Sequence, residues 1–437
     1  MAPAPALAHP TVAIVGGGWA GLACALQLAQ AGYRPVVFES APEAGGRARS
    51  ALIEGLYRDN GQHLMLAGCK SLTTLFKLAG IQVQTVPFIM QSGARRLRVP
   101  AHSGRLGLAT ALWRAQGFSW NERYRLIAAI VNLQLKGWQV PEGQSVAEWL
   151  LATHQPPALI REFWAPLALA VLNTPLADAA MRRFASVLRD SLGSGGRALA
   201  MLLPAGNLSE QIVTPLVHAI EKLGGAVRCA QRVLAIQQTT HGFELRVQGS
   251  EQPHHFDQIV LALPPWALDK MTLPACINQK ALAEAFGTQP IATVYLGFEA
   301  KFRLPVPLLQ LAGPTANDSR IWATDRAYCG EPGVIALSVS AAGPWCQLSH
   351  DDLAAACLNA LQEAVAPLPR CLWKKTVVVR RATYAATPGA TLQATDLNPL
   401  PHLYLAGDWT DATYPATLEA AVQSGFKAAA QILHEQG

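Results

Sequence analysis

Two kinds of hydrophobic pattern alternate along the chain. Val12-Ala13-Ile14-Val15 is a short unbroken apolar run, read as a strand buried on both faces. A helix is predicted over 22–32, and Pro35-Val36-Val37-Phe38-Glu39 reads as a second buried strand. Residues 71–79 predict a short amphipathic helix stopped by Gly80. From about 83 to 200 the pattern turns helical, rich in Leu, Ala and Trp. There, 122–136 has a basic start and an apolar body, and 163–172 is almost wholly apolar. Ser145-Val146-Ala147-Glu148 is a capping box opening a helix through Leu151. The first pattern then resumes. A helix over 209–223 is stopped by Gly224-Gly225, strands follow at 226–228, 232–236 and 243–247, and a buried strand runs over 257–264. Strands near 292–298, 334–339 and 376–380 predict a sheet flooring a cavity, with helices above it. A last strand delivers Gly407-Asp408, and a helix is predicted from about 418 to 434.

Glycines mark where the first pattern carries chemistry. Gly16, Gly18 and Gly21 form a G-x-G-x-x-G between the first strand and its helix. The first allows a tight turn, the second lets backbone approach a pyrophosphate, and the third lets helix and strand pack closely. The helix start, with Trp19 and Ala20, offers free N–H groups and a positive dipole end to an anion. Glu39, followed by Ser40, ends the second strand 18 positions after Gly21, which suits a carboxylate accepting ribose hydroxyls. Gly45-Gly46-Arg47 extends the anion site, with Arg47 able to neutralise pyrophosphate charge. Together these predict dinucleotide binding.

Length and composition bound the reading further. The 437 residues exceed one simple core and imply two domains. Half of the residues, 51%, are hydrophobic and only 15% are charged, as expected of a chain enclosing a large apolar cavity. No uninterrupted apolar run approaches the ~18 residues of a spanning helix. Residues 1–10 read as a flexible Ala/Pro tail and not as a signal peptide. The eight cysteines show no metal-like spacing and are expected to be reduced, small, buried hydrophobes. The net charge of +6 is concentrated in 93–138, where Arg95, Arg96, Arg98, Arg105, Arg114, Arg123, Arg125 and Lys136 face one acid, Glu122. No nucleic-acid motif accompanies them, so no nucleic-acid partner is expected.

Val15–Gly21, Glu39, 45–50, Asp59-Asn60-Gly61-Gln62-His63 and 405–425 together resemble the FAD-dependent amine oxidase and carotenoid desaturase superfamily. Within it they are most similar to the squalene-associated hydroxysqualene dehydroxylases of bacterial hopanoid synthesis. The resemblance implies an α/β fold: a Rossmann-like FAD-binding domain of the amine oxidase/phytoene desaturase type, with an α+β substrate domain. The corresponding division assigns 11–82, 201–270 and 386–437 to FAD and 83–200 and 271–385 to substrate. It also implies flavin contacts for Asn60, Gly61, Gln62 and His63, backbone contact of Val233 with adenine, and a ribityl–phosphate contact for Asp408 beside Gly407. Thr417 and Leu418 open a helix whose dipole faces the flavin ring. Amine oxidases usually place an aromatic residue where this chain has Thr417, and often tether flavin to a nearby cysteine. No cysteine follows Cys371.

For activity the resemblance implies reductive removal of an allylic hydroxyl from hydroxysqualene, giving squalene, with hydride from reduced flavin. The alternatives are an oxidative carotenoid or isoprenoid desaturase and, further off, an amine oxidase. His63, Asp411 and Tyr414 are the polar candidates for assisting loss of hydroxide, with His63 first among them. His63 otherwise serves as a structural histidine. The electron donor is external and has no signature in the sequence. The expected setting is cytoplasmic, with peripheral binding to an anionic membrane surface through 93–138, where Trp113, Phe118, Trp120 and Trp138 lie among the arginines.

Overall fold

A computed structural model describes residues 9–315, 320–390, 392 and 399–435. Most of the expected N-terminal tail therefore lies outside the described residues, although His9 stacks on Tyr33 at 4.4 Å.

Two sheets organise the molecule. The first has five parallel strands in the order Ala226–Arg228, Val36–Phe38, Val12–Val15, Gln258–Leu261, Leu403–Leu405. Its central strands are buried on both faces, which is why they read as unbroken apolar runs. The helices Trp19–Gln30 and Leu418–His434 pack on it together. Their contact is close because of glycine. A Cβ on Gly425 would stand 2.1 Å from the Ala20 carbonyl oxygen, and one on Gly21 would stand 2.0 Å from that of Gly16.

The second sheet has seven strands: Trp373–Tyr384, Thr288–Gly297, Val334–Ser340, Ile321–Asp325, Leu308–Leu311, Phe88–Ser92 and Arg95–Val99. All pairings are antiparallel except that of Leu308–Leu311 with Phe88–Ser92. Its strands alternate. Ala292, Val294 and Leu296, with Ile335, Leu337 and Val339, face the helix His350–Ala364. The opposite face carries Thr293, Tyr295, Ser338 and Trp322, and Trp322 donates to the Pro166 carbonyl of the helical layer at 3.3 Å. The expected sheet with helices above it is thus present.

Phe88–Ser92 and Arg95–Val99 depart from the helical reading of 83–200. Their period-two burial is obscured because Arg95 and Arg96 occupy strand positions that long polar side chains usually leave to smaller residues. The helix start also shifts, to Trp19, so Trp19, Ala20 and Gly21 form its first turn. Cysteine burial is mixed. Cys24, Cys329 and Cys357 are buried as expected, but Cys276 and Cys346 are exposed, and all eight are free thiols.

The Gly425 contact yields a direct test. Gly425→Ala forces the two helices apart and should destabilise the protein by ~1–3 kcal/mol, the usual cost of overpacking. A urea midpoint lowered at unchanged slope is the expected result, and an unchanged midpoint would contradict the packing.

Candidate functional site

The glycine-rich segments meet at the edge of the parallel sheet. Gly16 turns at φ +114°, where a side chain would strike Ala262. The first helical bond runs from Leu22 N to Gly18 O at 2.9 Å, leaving the N–H groups of the first turn unpaired within the helix. Gly45 N bonds Gly17 O at 2.8 Å, and Gly18 bridges Gly45. At Gly18 an added Cβ would meet only Gly46 Cα, at 4.0 Å. That space is a cradle which any side chain would fill. Trp19 is buried and donates its indole N–H to Ala48 O at 2.9 Å, anchoring the arginine loop to the helix.

Glu39 and Ser40 lie beside this cradle. Glu39 accepts from Gly17 N at 2.8 Å and Ala41 N at 2.7 Å, and Ser40 Oγ reaches it at 3.3 Å. Its backbone also bonds Arg228 O and Gln231 N, so the strand opening at Val233 is brought alongside.

Arg47 joins the two ends of the chain. Its guanidinium pairs with Asp408 at 2.6 Å and donates to Ala382 O at 3.0 Å. The expected pyrophosphate cation is therefore half of an ion pair. Gly407, at φ +146°, donates its N–H to Ser424 Oγ at 2.8 Å, tying Asp408 to the terminal helix. Thr417 caps that helix by accepting from Ala420 N at 3.2 Å, and Leu418 is its first residue. Glu419 caps a different helix, Lys70–Ala79, by accepting from Ser71 N and Leu72 N at 2.8 and 2.9 Å.

The loop Asp59–His63 is held from below by charges. Asp59 takes Leu208 N at 2.7 Å, Ser50 Oγ at 3.1 Å and Arg326 at 3.0 Å. Arg326 also pairs with Glu331 at 2.5 Å, and Glu331 with Arg58 at 2.9 Å. Gln62 is engaged by both Tyr295, at 2.9 Å, and Arg326, at 3.2 Å. Its side chain thus braces the loop, which leaves its backbone for any flavin contact. Asn60 donates to Arg47 O at 2.7 Å, but its Oδ1 is buried without a partner among the described residues. His63 Nε2 and Thr293 Oγ1 are likewise buried and unpartnered, and both lie within 4.0 Å of where a Cβ on Gly61 would stand. The orphaned atoms of Asn60 and His63, on either side of Gly61, fit a planar, hydrogen-bonding ring such as a flavin.

Burial lowers the pKa of the His63 imidazole; Asp59 opposes this, and Arg47 and Arg326 reinforce it. The ring is therefore neutral at pH 7. Asp411 is unsuited to act as an acid. Burial raises its pKa, but Lys427 and Thr413 outweigh this and hold it as a carboxylate. It accepts from Thr413 N, Thr413 Oγ and Tyr414 N, and from Lys427 Nζ at 2.7 Å. The turn it makes is gripped by Arg183, a fully buried guanidinium bonded to the carbonyls of Asp411, Tyr414 and Ala390 and to the Tyr384 hydroxyl. Arg183, Arg326 and Glu331 were not evident from sequence patterning. They sit on a helix and a turn with no glycine motif, and only their partners reveal them.

The arrangement has known counterparts. The sequence profile of flavin containing amine oxidoreductases matches residues 19–433. Hydroxysqualene dehydroxylase of Rhodopseudomonas palustris is 28% identical, over 97% of this chain and 98% of that protein. The 15-cis-phytoene desaturase of Synechococcus elongatus is 25% identical, over 97% and 96%. Among solved structures, cyclohexylamine oxidase from Brevibacterium oxydans superposes with a TM-score of 0.71 at 16% identity, covering 98% of this chain and 99% of that one, and so shows the shared fold. FAD is the cofactor these relationships imply, and the cradle at Gly18 and the orphaned atoms around Gly61 accommodate it. The chain is an FAD-dependent oxidoreductase and belongs to the flavin containing amine oxidoreductase family.

Proposed function

We propose that this protein is a hydroxysqualene dehydroxylase, converting hydroxysqualene to squalene. The observation that carries the reading is the end-to-end similarity to dehydroxylases, which spans both sheets and every motif of the flavin site. Gly16, Gly18, Gly21, Gly45 and Gly46 would hold the diphosphate, and Glu39 the ribose. Asp408, Gly407 and the helix opening at Thr417–Leu418 would hold the flavin end. Reduced flavin, when bound there, would supply hydride to the carbon whose C–O bond breaks, and the oxygen would leave as hydroxide. The residues around the ring exclude water and orient the chain. His63, held neutral, carries one N–H and serves as a hydrogen-bond partner to the departing oxygen. The phytoene desaturase match supports a second reading, an oxidative desaturase with the opposite electron flow.

The substrate is a long hydrocarbon, so the enzyme takes it from a bilayer. No helix among the described residues is long and apolar enough to cross a membrane. The docking face is narrower than 93–138. Arg95 is buried between Glu122 and Glu162, Phe118 is in the core, and Trp138 is partly covered. The helices Arg105–Trp113 and Trp120–Leu135 instead expose Leu106, Trp113, Trp120, Tyr124, Val131 and Leu135, up to 86%. Trp120, Tyr124, Val131 and Leu135 fall on one stripe, opposite the buried Leu126, Ala129, Ile130 and Leu133. A helix apolar on both faces has a second environment besides the core. Trp113 touches Trp120 at 4.8 Å, and Arg105 and Arg114 are exposed at its flanks.

Three outcomes test these assignments. Gly18→Val should abolish flavin retention through gel filtration. Arg47→Ala should weaken it by leaving Asp408 unpaired, and Asp408→Asn in the same chain should restore part of the loss. Wild-type occupancy in Gly18→Val would overturn the cradle. Second, anaerobic incubation with reductant and hydroxysqualene should yield squalene. His63→Ala should keep its flavin but turn over about 10²–10³-fold more slowly, the cost of removing one hydrogen-bond donor from a developing negative charge. No squalene from the wild type would sink the dehydroxylase reading. Third, co-sedimentation with anionic vesicles should fall with salt. Arg105→Gln/Arg114→Gln should weaken it about thirtyfold, from ~1 kcal/mol per cation removed. Binding insensitive to both would move the docking face elsewhere.

A further inference from the structure

The face of the seven-stranded sheet turned toward the flavin loop carries a row of polar side chains. Register defines it: Thr293 opposes Ser338, Ser338 opposes Trp322, Trp322 opposes Gln310, and Gln310 opposes Ser92. Directly opposed residues share a face, with Cβ atoms about 4.5–5.5 Å apart. The neighbouring positions Ala292, Val294, Leu337 and Val339 point the other way into an apolar core.

Part of the row is accounted for. Ser92 Oγ donates to Gln310 Oε1 at 2.5 Å, and Trp322 donates to Pro166 O. Thr293 Oγ1, Ser338 Oγ and, on the far side of Trp322, Gln310 Nε2 are not. All three atoms are sealed from solvent and have no hydrogen-bond partner among the described residues. Thr293 is 1% exposed, and its Oγ1 stands at Gly61 with the unpartnered His63 Nε2. Buried hydroxyls without partners are costly, and a strand packed among apolar neighbours has no need of them. Valine and alanine would fit the strand as well. The pair sits where the row meets the flavin loop, and Trp322 closes it off from Gln310 and Ser92.

We propose that Thr293 and Ser338 form a hydroxyl-recognition subsite, which takes the oxygen of an alcohol borne on an otherwise hydrocarbon chain. This rests on the dehydroxylase reading and deepens it. A site built to bond a hydroxyl rejects the analogue lacking it, because its own polar atoms are then left unpaired. The subsite therefore selects the alcohol over the hydrocarbon product and promotes product release.

Binding to the oxidised FAD enzyme, without reductant, separates recognition from turnover. Hydroxysqualene and squalene, each in the same detergent micelles, are titrated against the flavin absorbance change. Wild type should prefer the alcohol. Thr293→Val and Ser338→Ala should each weaken hydroxysqualene about three- to tenfold, the worth of one neutral hydrogen bond, and leave squalene unchanged. Both variants should keep wild-type FAD content and unfold no earlier than wild type, since each removes a hydroxyl that has no protein partner. Equal shifts for both ligands, no shift for the alcohol, or a marked loss of stability in Thr293→Val would overturn the subsite. The dehydroxylase reading is judged separately, by whether reduced wild-type enzyme makes squalene.

Discussion

A buried chain of charges joins the cofactor loop to the substrate sheet. Asp59, Arg326, Glu331 and Arg58 alternate in sign; Asp59, Arg326 and Arg58 are buried and Glu331 is partly so. Removing any one would strand its neighbours' charge in a poorly solvating interior, at a cost of several kcal/mol. Arg326 is the centre. Burial by itself lowers the pKa of its guanidinium, but Asp59 and Glu331 outweigh burial and raise it. Through Arg326 and Tyr295 the sheet holds Gln62 and hence the Asn60–His63 turn. The position of the orphaned atoms at the flavin site thus follows from ion pairing several ångströms away.

The same logic recurs at the other end of the site. Among the described residues Arg183 has no carboxylate bonded to it, and it spends its donors chiefly on carbonyls of the 411–414 turn, while Asp411 closes that turn from within. Arg47 and Asp408 neutralise one another where the two glycine motifs meet. The charges named here are therefore consumed in shaping the site, and the unpartnered atoms left at the flavin loop are neutral hydrogen-bonding groups.

Local signals carried much of this. Gly16, Gly18 and Gly21 require their neighbours only within one strand–turn–helix, so their roles were legible. Gly80 at φ +68° and the capping boxes at Ser145 and Ser119 also act within a few residues, although the Ser119–Glu122 box escaped notice. The terminal helix spans Leu418–His434 as expected. What the pattern concealed depends on distance along the chain. Asp59 and Arg326 are 267 positions apart in the numbering of the chain, and nothing near either announces the other. Thr293 and Ser338 read as ordinary strand residues until register sets them side by side. The arginines of 93–138 look alike in sequence, yet Arg95 is a core ion-pair member and Arg105 a surface cation, because only the fold distinguishes their surroundings.

The place of the last strand and helix has a consequence for how the protein is made. Leu403–Leu405 completes the parallel sheet beside Gln258–Leu261, and Gly425 packs against Ala20. During synthesis the first helix thus appears some 400 residues before the surface that covers it. Asp408 is also absent until then, so Arg47 waits without its partner. The site is consequently assembled late, once residues 403–425 have emerged. Until that moment the nascent protein carries an open apolar sheet edge, which makes it a natural client for chaperones.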